Sequence, residues 1–222
     1  MERVPQKELL DEDLGAPAEV AASLADLRHI NQWFGGIATT EHLLRRASQE
    51  AQLTSASVLE VASGDGFSIQ RAAKNLASEG LTFRLTLLDR RASHLPSNNG
   101  VRGMIGDAMQ IPLPDGSVDF VSCGLFLHHL DPESVVRFFS EALRVCRHAV
   151  LVNDLRRSAT HLGLVYLGFP LFRSRLTRHD APASVRQAYT TAEIQALLKK
   201  TPASRFELTE RYLYRMAVIA WK

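Results

Sequence analysis

The sequence has few cysteines, no long apolar run and no cleavable leader pattern. Its two cysteines are Cys123 and Cys146, and each lies within an apolar pattern, so no disulfide framework is expected. Apolar runs of about 18 residues or more, which indicate a transmembrane helix, are absent from the sequence. The first residues, Met1 to Pro5, lead into acidic residues, so we expect no signal peptide and a cytoplasmic protein.

A charge excess and metal-binding spacing are lacking too. The formal net charge is +2, which is too small to indicate a nucleic-acid partner, and none is expected. No Cys/His spacing typical of zinc sites is present, so we expect no metal site. The sequence also has no internal repeat. With 222 residues, of which 45% are hydrophobic, the chain is long enough for a full core. We predict a single domain over residues 1–222, with the oligomeric state left open.

The charges that are present are unevenly placed. Residues 1–27 hold seven acidic side chains against two basic ones: Glu2, Glu8, Asp11, Glu12, Asp13, Glu19 and Asp26 against Arg3 and Lys7. Residues 154–190 hold six arginines against two acids: Arg156, Arg157, Arg173, Arg175, Arg178 and Arg186 against Asp154 and Asp180. These segments are either two solvated faces or an acidic arm lying near a basic insert over one cleft.

Strand and helix patterns alternate along most of the chain. Residues 1–54 form an N-terminal helical cap, with a helix broken at Gly35-Gly36 and another from Glu41. Residues 55–154 form the core, with strands predicted at 57–61, 83–88, 101–105, 118–124 and 149–153. Helices are predicted from Phe67 and from Pro132, the second with Cys146 in its apolar stripe. Residues 155–190 form a helical insert. Residues 191–222 supply a helix, opened by a Thr190–Glu193 capping box, and a closing hairpin.

Residues able to hold a ligand follow the strands, where parallel sheets of this kind bind ligands. Gly64 and Gly66 follow the first strand and allow a tight turn with close backbone approach to a ligand. Ile69 takes the place of the third glycine of a dinucleotide fingerprint, which favours a ligand without a pyrophosphate. Asp89 can accept hydrogen bonds from both hydroxyls of a ribose, and Asp107 can accept one from an adenine amino group.

The ordered motifs resemble those of class I S-adenosylmethionine-dependent methyltransferases. Residues 59–66 read LEVASGDG and are similar to motif I, although Ala62-Ser63 replaces the more common Gly-Cys or Gly-Ser. Asp89 matches the acid after the second strand, residues 106–119 match the next motifs, and residues 127–130, LHHL, match a common end of the fourth strand. The flanks, including residues 27–36 and 178–182, resemble bacterial small-molecule methyltransferases that are similar to ubiquinone-biosynthesis enzymes and are found beside polyketide pathways.

The resemblance implies a Rossmann-like α/β fold: a seven-stranded, mostly parallel sheet with a C-terminal antiparallel hairpin and helices on both faces. It also implies S-adenosyl-L-methionine as cofactor and in-line transfer of its methyl group. The residues expected to hold the cofactor are Glu60, Ala62, Gly64, Gly66, Asp89, Arg90, Asp107, Ala108 and Gly124. Glu60 is expected to anchor the loop or the methionine amino group.

Candidates for the chemistry lie after the fourth strand and in the insert. His179, beside Asp180, and His129 are candidate bases, although each is also consistent with an ordinary structural histidine. Trp33, His128, Asn153 and Arg156 are candidate acceptor-binding residues, with core packing or helix capping as the alternative. Apolar residues over 162–172 suggest a hydrophobic acceptor pocket, simple lid packing or peripheral contact with a membrane surface.

These features predict an enzyme that methylates a small, partly hydrophobic acceptor, such as a phenolic or polyketide-derived hydroxyl. C-methylation of a quinone precursor is a close variant. A nicotinamide-dependent oxidoreductase shares the glycine loop and the acid after the second strand. Ile69 in place of the third glycine and the Asp107-Ala108 motif both argue against this alternative. A non-catalytic module that binds the same cofactor would show the same binding motifs.

Overall fold

The computed structural model describes residues 1–10, 15–96 and 101–222. Its helices and strands, in chain order, are α1 (Pro17–Trp33), α2 (Gly36–Glu50), β1 (Ser55–Val61), α3 (Phe67–Leu76), β2 (Thr82–Asp89), β3 (Arg102–Ile105), β4 (Val118–Gly124), α4 (Pro132–Val145), β5 (Cys146–Leu155), α5 (Ala159–Leu167), α6 (Arg175–Gln187), α7 (Thr191–Leu198), β6 (Arg205–Arg211) and β7 (Arg215–Trp221). None of the helices in these ranges combines the length and apolarity needed to cross a membrane.

The strands form one sheet in the order β3-β2-β1-β4-β5-β7-β6. Neighbouring strands from β3 to β5 run parallel, whereas β7 is antiparallel to both β5 and β6. The Rossmann-like architecture with a closing hairpin is therefore confirmed. The direction of winding reverses between β1 and β4, and this reversal leaves a crevice beyond their carboxyl ends.

Both faces of the sheet are covered by helices, which explains why its central strands read as continuous apolar runs. Successive side chains of β1 point to opposite faces: Val58 packs in a cluster with α2 and α3, and Leu59 packs in a cluster with α4 and α7. Because β1 is buried on both sides, its position is fixed by packing, and the loop that follows it starts from a rigid point.

Several boundaries differ from the sequence prediction. Helix α2 begins at Gly36, not at Glu41, because Gly35 turns the chain with φ +78°. A Cβ at Gly35 would lie 1.7 Å from the carbonyl oxygen of Tyr212, so the close approach of two backbones decides this turn. Helix α4 ends at Val145, and Cys146 is the first residue of β5 rather than part of the helix. Strand β5 also continues past Asn153 to Leu155.

The predicted helix starts are confirmed by their capping contacts. Asp131 accepts a hydrogen bond from the N–H of Ser134 at 2.8 Å, and Thr190 and Glu193 form a capping box. The insert is helical, as predicted, and consists of α5, a short 3-10 turn (Phe169–Leu171) and α6.

The N-terminal arm, which we define as residues 1–10, lies against α6. The N–H of Val4 donates to Arg186 at 3.1 Å, and the N–H groups of Leu9 and Leu10 donate to the carboxylate of Asp180. The arm therefore contacts the insert, as the second interpretation of the charge pattern predicts. Asp11, Glu12 and Asp13 of the acidic segment lie outside the described residues.

Candidate active site

A cavity of about 1270 Å³ lies beyond the carboxyl ends of β1, β2 and β4. Its floor is made by the loops after these strands, and its walls are made by the N-terminal arm, α1 and the insert. The predicted site residues among its lining are Trp33, Glu60, Ala62, Gly64, Gly66, Asp89, Arg90, Asp107, Ala108, Gly124, His128, His129 and Asn153. All nine residues predicted to hold the cofactor thus line one cavity.

The loop after β1 has the strained backbone that its sequence implies. Ala62 has φ +50°, a left-handed conformation that glycine adopts more easily, and this explains why the related motif commonly has glycine here. Gly66 has φ +67°, and a Cβ at this position would lie 2.6 Å from Cδ1 of Leu87. Glycine at 66 is therefore required by both conformation and space, and it lets α3 start directly at Phe67.

Asp89 ends β2, and Asp107 follows the end of β3, beside this loop. One oxygen of Asp89 accepts a hydrogen bond from the N–H of Gly64 at 2.9 Å, and the other accepts one from the N–H of Arg91 at 3.0 Å. Burial alone would raise the pKa of Asp89, but the His94 ring and these N–H groups lower it, so the carboxylate is charged. Asp107 accepts a hydrogen bond from the N–H of Met109 at 2.8 Å.

Glu60 is a buried carboxyl group at the end of β1. Burial raises its pKa to about 7, opposed by a hydrogen bond from the Ser122 hydroxyl. Its Oε2 atom has no hydrogen-bond partner among the described residues. The Oε1 atom lies 3.7 Å from where a Cβ at Gly124 would stand, so glycine keeps the space in front of Glu60 open. An unsatisfied carboxyl group beside the cavity suits a ligand that brings hydrogen-bond donors.

His128 lies between two carboxylates. Its Nδ1 donates to Asp154 at 2.6 Å, and its Nε2 lies 3.5 Å from Oε1 of Glu8 on the N-terminal arm. Burial disfavours the imidazolium, but Asp154 and Glu8 outweigh this and raise the pKa of His128 to about 10. His128 is therefore charged at neutral pH and serves to hold the arm in place.

The same cluster includes residues of metal-ligand type. Ligand atoms of Glu8, His128 and His129 lie within 4.8 Å of one another. The sequence indicates no metal site, and only the folding of the arm onto the end of β4 brings these groups together. Glu8 already accepts hydrogen bonds from Ser184 at 2.5 Å and from Gln187 at 2.8 Å, so protein donors hold its carboxylate.

His161, which sequence reasoning missed, lines the cavity from α5. Its Nδ1 lies 3.2 Å from the carbonyl oxygen of Arg156, so Nδ1 carries the proton and Nε2 is free of one. The ring stacks on Tyr214 with centroids 5.0 Å apart. Burial lowers the pKa of His161, and the hydrogen bond to Arg156 only partly opposes this. No local sequence pattern marks His161, because its partners are Arg156, just after β5, and Tyr214, in the turn before β7.

Two predicted residues do not line the cavity. The ring of His179 is half exposed and contacts Asp180 at 2.8 Å and Gln6 at 3.3 Å. Arg156 pairs with Glu210 at 3.0 Å on the outer side of the hairpin. Both side chains are therefore used in contacts between the insert, the arm and the hairpin.

Two other predicted acceptor residues lie at the cavity. Trp33 is 68% exposed at the end of α1, so it is not a core residue. The Asn153 amide donates to the carbonyl oxygen of Gly36 at 2.8 Å and to Thr40 at 3.0 Å. Asn153 therefore joins β5 to α2 at the edge of the cavity.

Comparisons with known proteins agree with this geometry. Residues 59–152 match the family model described as "Methyltransferase domain". The plantazolicin methyltransferase BpumL, solved with S-adenosylhomocysteine, has a TM-score of 0.71 at 12% identity, covering 97% of this chain and 94% of that one. An S-adenosylmethionine-dependent methyltransferase from Aquifex aeolicus has a TM-score of 0.51 at 18% identity, covering 75% of this chain and 81% of that one.

A third similar structure, magnesium protoporphyrin IX methyltransferase from Synechocystis PCC 6803 with bound S-adenosylhomocysteine, has a TM-score of 0.54 at 16% identity. The alignment covers 85% of this chain and 83% of that one. A search among curated proteins finds no match. The glycine loop and the two carboxylates lie within the matched residues 59–152, which are therefore similar to a methyltransferase domain. The solved structures named here share the fold of this chain.

Proposed function

We propose that the protein transfers the methyl group of S-adenosylmethionine to a hydroxyl of a small, partly hydrophobic acceptor. The observation that carries this proposal is the size of the cavity. Ligand pockets commonly measure about 300–1000 Å³, and this cavity of about 1270 Å³ exceeds what one cofactor needs. The space left over is bounded by the insert, and it suits an organic molecule of moderate size.

The chemistry of the walls supports a partly hydrophobic acceptor. Leu164 and Val165 of α5 line the cavity, as do Leu171 and Phe172 after it. An apolar wall binds a ring or chain by excluding water from both surfaces. Plantazolicin methyltransferases with azole-containing substrate analogues are among the similar structures, and this also favours an acceptor of natural-product type.

The proposed role of each cofactor-binding residue follows from its position in the cavity. Gly64, Asp89 and Asp107 hold the adenosyl part, and Glu60 binds the ammonium group of the methionine part. The cofactor supplies a methyl group already activated by the positive sulfur. The protein then has to hold an acceptor oxygen in line with that methyl group, and orientation contributes several kcal/mol of the rate enhancement.

We propose His161 as the base that takes the acceptor's hydroxyl proton. Its Nε2 is unprotonated because Nδ1 donates to a carbonyl, and its lowered pKa keeps the ring neutral at physiological pH. The proton passes to Nε2 as the oxygen gains the methyl group. His179, one of the two predicted bases, does not line the cavity. His129, the other, lines it with its ring centroid 4.1 Å from that of the charged His128, and it stays the alternative to His161.

Transfer of labelled methyl from S-adenosylmethionine to a set of phenols and hydroxylated heteroaromatics tests the proposal. His161→Gln should lower kcat by about 10²-fold or more while changing affinity for S-adenosylhomocysteine less than twofold or so. His148→Gln is the matched control, because the His148 ring lies against Phe120 and is not among the residues that line the cavity. A wild-type protein that does not bind S-adenosylhomocysteine would refute the function. Full turnover in His161→Gln would refute only the base.

C-methylation of a quinone precursor is the alternative for the same site. The two reactions differ in the product, so NMR of the labelled product distinguishes an O-methyl from a C-methyl group. A C-methylated product would leave the cofactor assignments unchanged and would replace the acceptor proposed here.

A further inference from the structure

Arg215, the first residue of β7, is a buried cation that lines the cavity. Its side chain is 1% exposed, and it is the largest fully buried side chain among the described residues. Two amide oxygens accept hydrogen bonds from its guanidinium: Oδ1 of Asn31 at 2.9 Å and Oδ1 of Asn153 at 3.4 Å. Both acceptors are neutral groups, so neither balances the positive charge.

No carboxylate of the described residues lies within ion-pair distance of this guanidinium. Asp154 is the acidic group that acts on it electrostatically, and Asp154 is already paired with His128 at 2.6 Å. Because no carboxylate pairs directly with Arg215, burial lowers the pKa of its guanidinium to about 10, despite the attraction of Asp154. A buried charge without a paired opposite charge is costly, and such groups commonly face an ionic ligand.

The surroundings of Arg215 add further positive potential. Helix α2 begins beside it, since the Asn153 amide donates to Gly36 and its other end faces Arg215. This helix has no side-chain cap at its N-terminus, so its positive end is not neutralised by a carboxylate there. Asn31 and Asn153 thus hold the two terminal nitrogens of the guanidinium beside the start of α2, at the wall of the cavity.

We propose that Arg215, together with the start of α2, forms a carboxylate-binding subsite of the cavity. This inference rests on the proposed function, because the carboxylate belongs either to the amino-acid part of S-adenosylmethionine or to the acceptor. Both sources share one chemistry: a planar anion that receives two parallel N–H hydrogen bonds from an arginine. An acceptor carboxylate would lie near the proposed base, since Arg215 acts electrostatically on His161.

Calorimetry on Arg215→Gln separates the two sources. Three titrations are needed: S-adenosylhomocysteine, 5′-methylthioadenosine, which lacks the amino-acid part, and benzoate added to protein saturated with S-adenosylhomocysteine. The substitution should weaken one carboxylate ligand by about ten- to hundredfold. Arg205→Gln is the matched control, because it removes the same charge from the same hairpin, at a position where the side chain is half exposed and pairs with Glu50.

Each outcome of these titrations either supports the carboxylate subsite or overturns it. Weaker binding of S-adenosylhomocysteine with unchanged 5′-methylthioadenosine supports a cofactor carboxylate. Loss of benzoate binding with both nucleosides unchanged supports an acceptor carboxylate. Equal weakening of both nucleosides shows a purely structural role and overturns the inference, as does a variant that binds all three ligands like the wild type. Benzoate that fails to bind the wild type, with both nucleosides unaffected by the substitution, overturns it too.

A second variant covers the case in which Arg215→Gln does not fold. Arg215→Lys keeps the charge but loses the bidentate fork, so the same carboxylate ligand should bind about three- to tenfold more weakly. Affinities equal to the wild type for all three ligands would overturn the inference. Failure of the wild type to bind either nucleoside would instead refute the proposed methyltransferase function.

Discussion

The buried carboxyl group of Glu60 makes a strong prediction about stability and pH. Its pKa rises from 4.5 to about 7 because burial disfavours the charged form. The folded state therefore holds this proton more tightly than the unfolded state does. The free energy of unfolding must then fall as pH rises from about 4.5 to about 7, and the loss is complete above that range.

The size of this loss follows from the pKa shift. One pKa unit corresponds to about 1.36 kcal/mol, so the shift from 4.5 to about 7 predicts a loss of roughly 3 kcal/mol. Glu60→Gln cannot ionise, and its amide can still accept the hydrogen bond from Ser122. The variant should match the wild type near pH 4.5 and exceed its free energy of unfolding by roughly 3 kcal/mol at pH 8.

Urea unfolding of both proteins at a series of pH values between 4.5 and 8 measures this difference. Glu2→Gln is a suitable control, because Glu2 is exposed and the substitution should change stability by less than about 0.5 kcal/mol at every pH. A constant difference between Glu60→Gln and the wild type across this range would refute the reasoning, since it would show that Glu60 does not titrate with the raised pKa.

Cofactor binding should stabilise the ionised form of the Glu60 carboxyl group. If the ammonium group of the methionine part pairs with Glu60, binding lowers the pKa of this carboxyl and releases a proton near pH 6. Calorimetry in two buffers with different ionisation enthalpies measures that release. Glu60→Gln should release no proton and should bind S-adenosylhomocysteine more weakly; proton release equal to that of the wild type would contradict the pairing.

Three further predictions follow from the site and its supports. Asp89→Ala should weaken S-adenosylhomocysteine about 100-fold in calorimetry without unfolding the protein, and unchanged affinity would contradict the ribose assignment. Gly66→Ala should lower the free energy of unfolding by at least about 1 kcal/mol more than Gly80→Ala. Both glycines have positive φ, but only a Cβ at Gly66 would lie 2.6 Å from Cδ1 of Leu87, so equal losses in the two variants would contradict this prediction. His128 has its pKa raised from 6.5 to about 10, so wild-type stability should decline as pH rises between these values, and His128→Gln, followed by chemical unfolding, should lack that decline.

Local patterns were sufficient to predict most of the fold. Helix starts at Phe67 and Pro132 and the capping box at Thr190 depend on neighbours within a few residues, so the sequence predicts them directly. Boundaries that depend on distant contacts were predicted less well. The start of α2 at Gly36 is set by the backbone of Tyr212, which lies far away in the sequence.

The grouping of the residues predicted to hold the cofactor was predictable for the same reason as the strands. These residues lie at or just after the ends of β1, β2, β3 and β4, and parallel strands bring their carboxyl ends to one edge of the sheet. The predicted residues at these positions all line the cavity. The rest of the cavity wall was not predictable in this way, because it is built from the arm, the insert and the hairpin, which pack together only in the tertiary structure.

The sequence alone determined the parallel core, its glycine turn and the two acids at the strand ends, because spacing along the chain sets each of them. Only the tertiary structure decided the protonation of His128 and His161 and the burial of Arg215. His128 is charged because Glu8 and Asp154 reach it from two distant segments, and His161 is neutral because burial outweighs its hydrogen bond. Burial and long-range pairing fix the charge of a side chain, and neither is visible in the order of the residues.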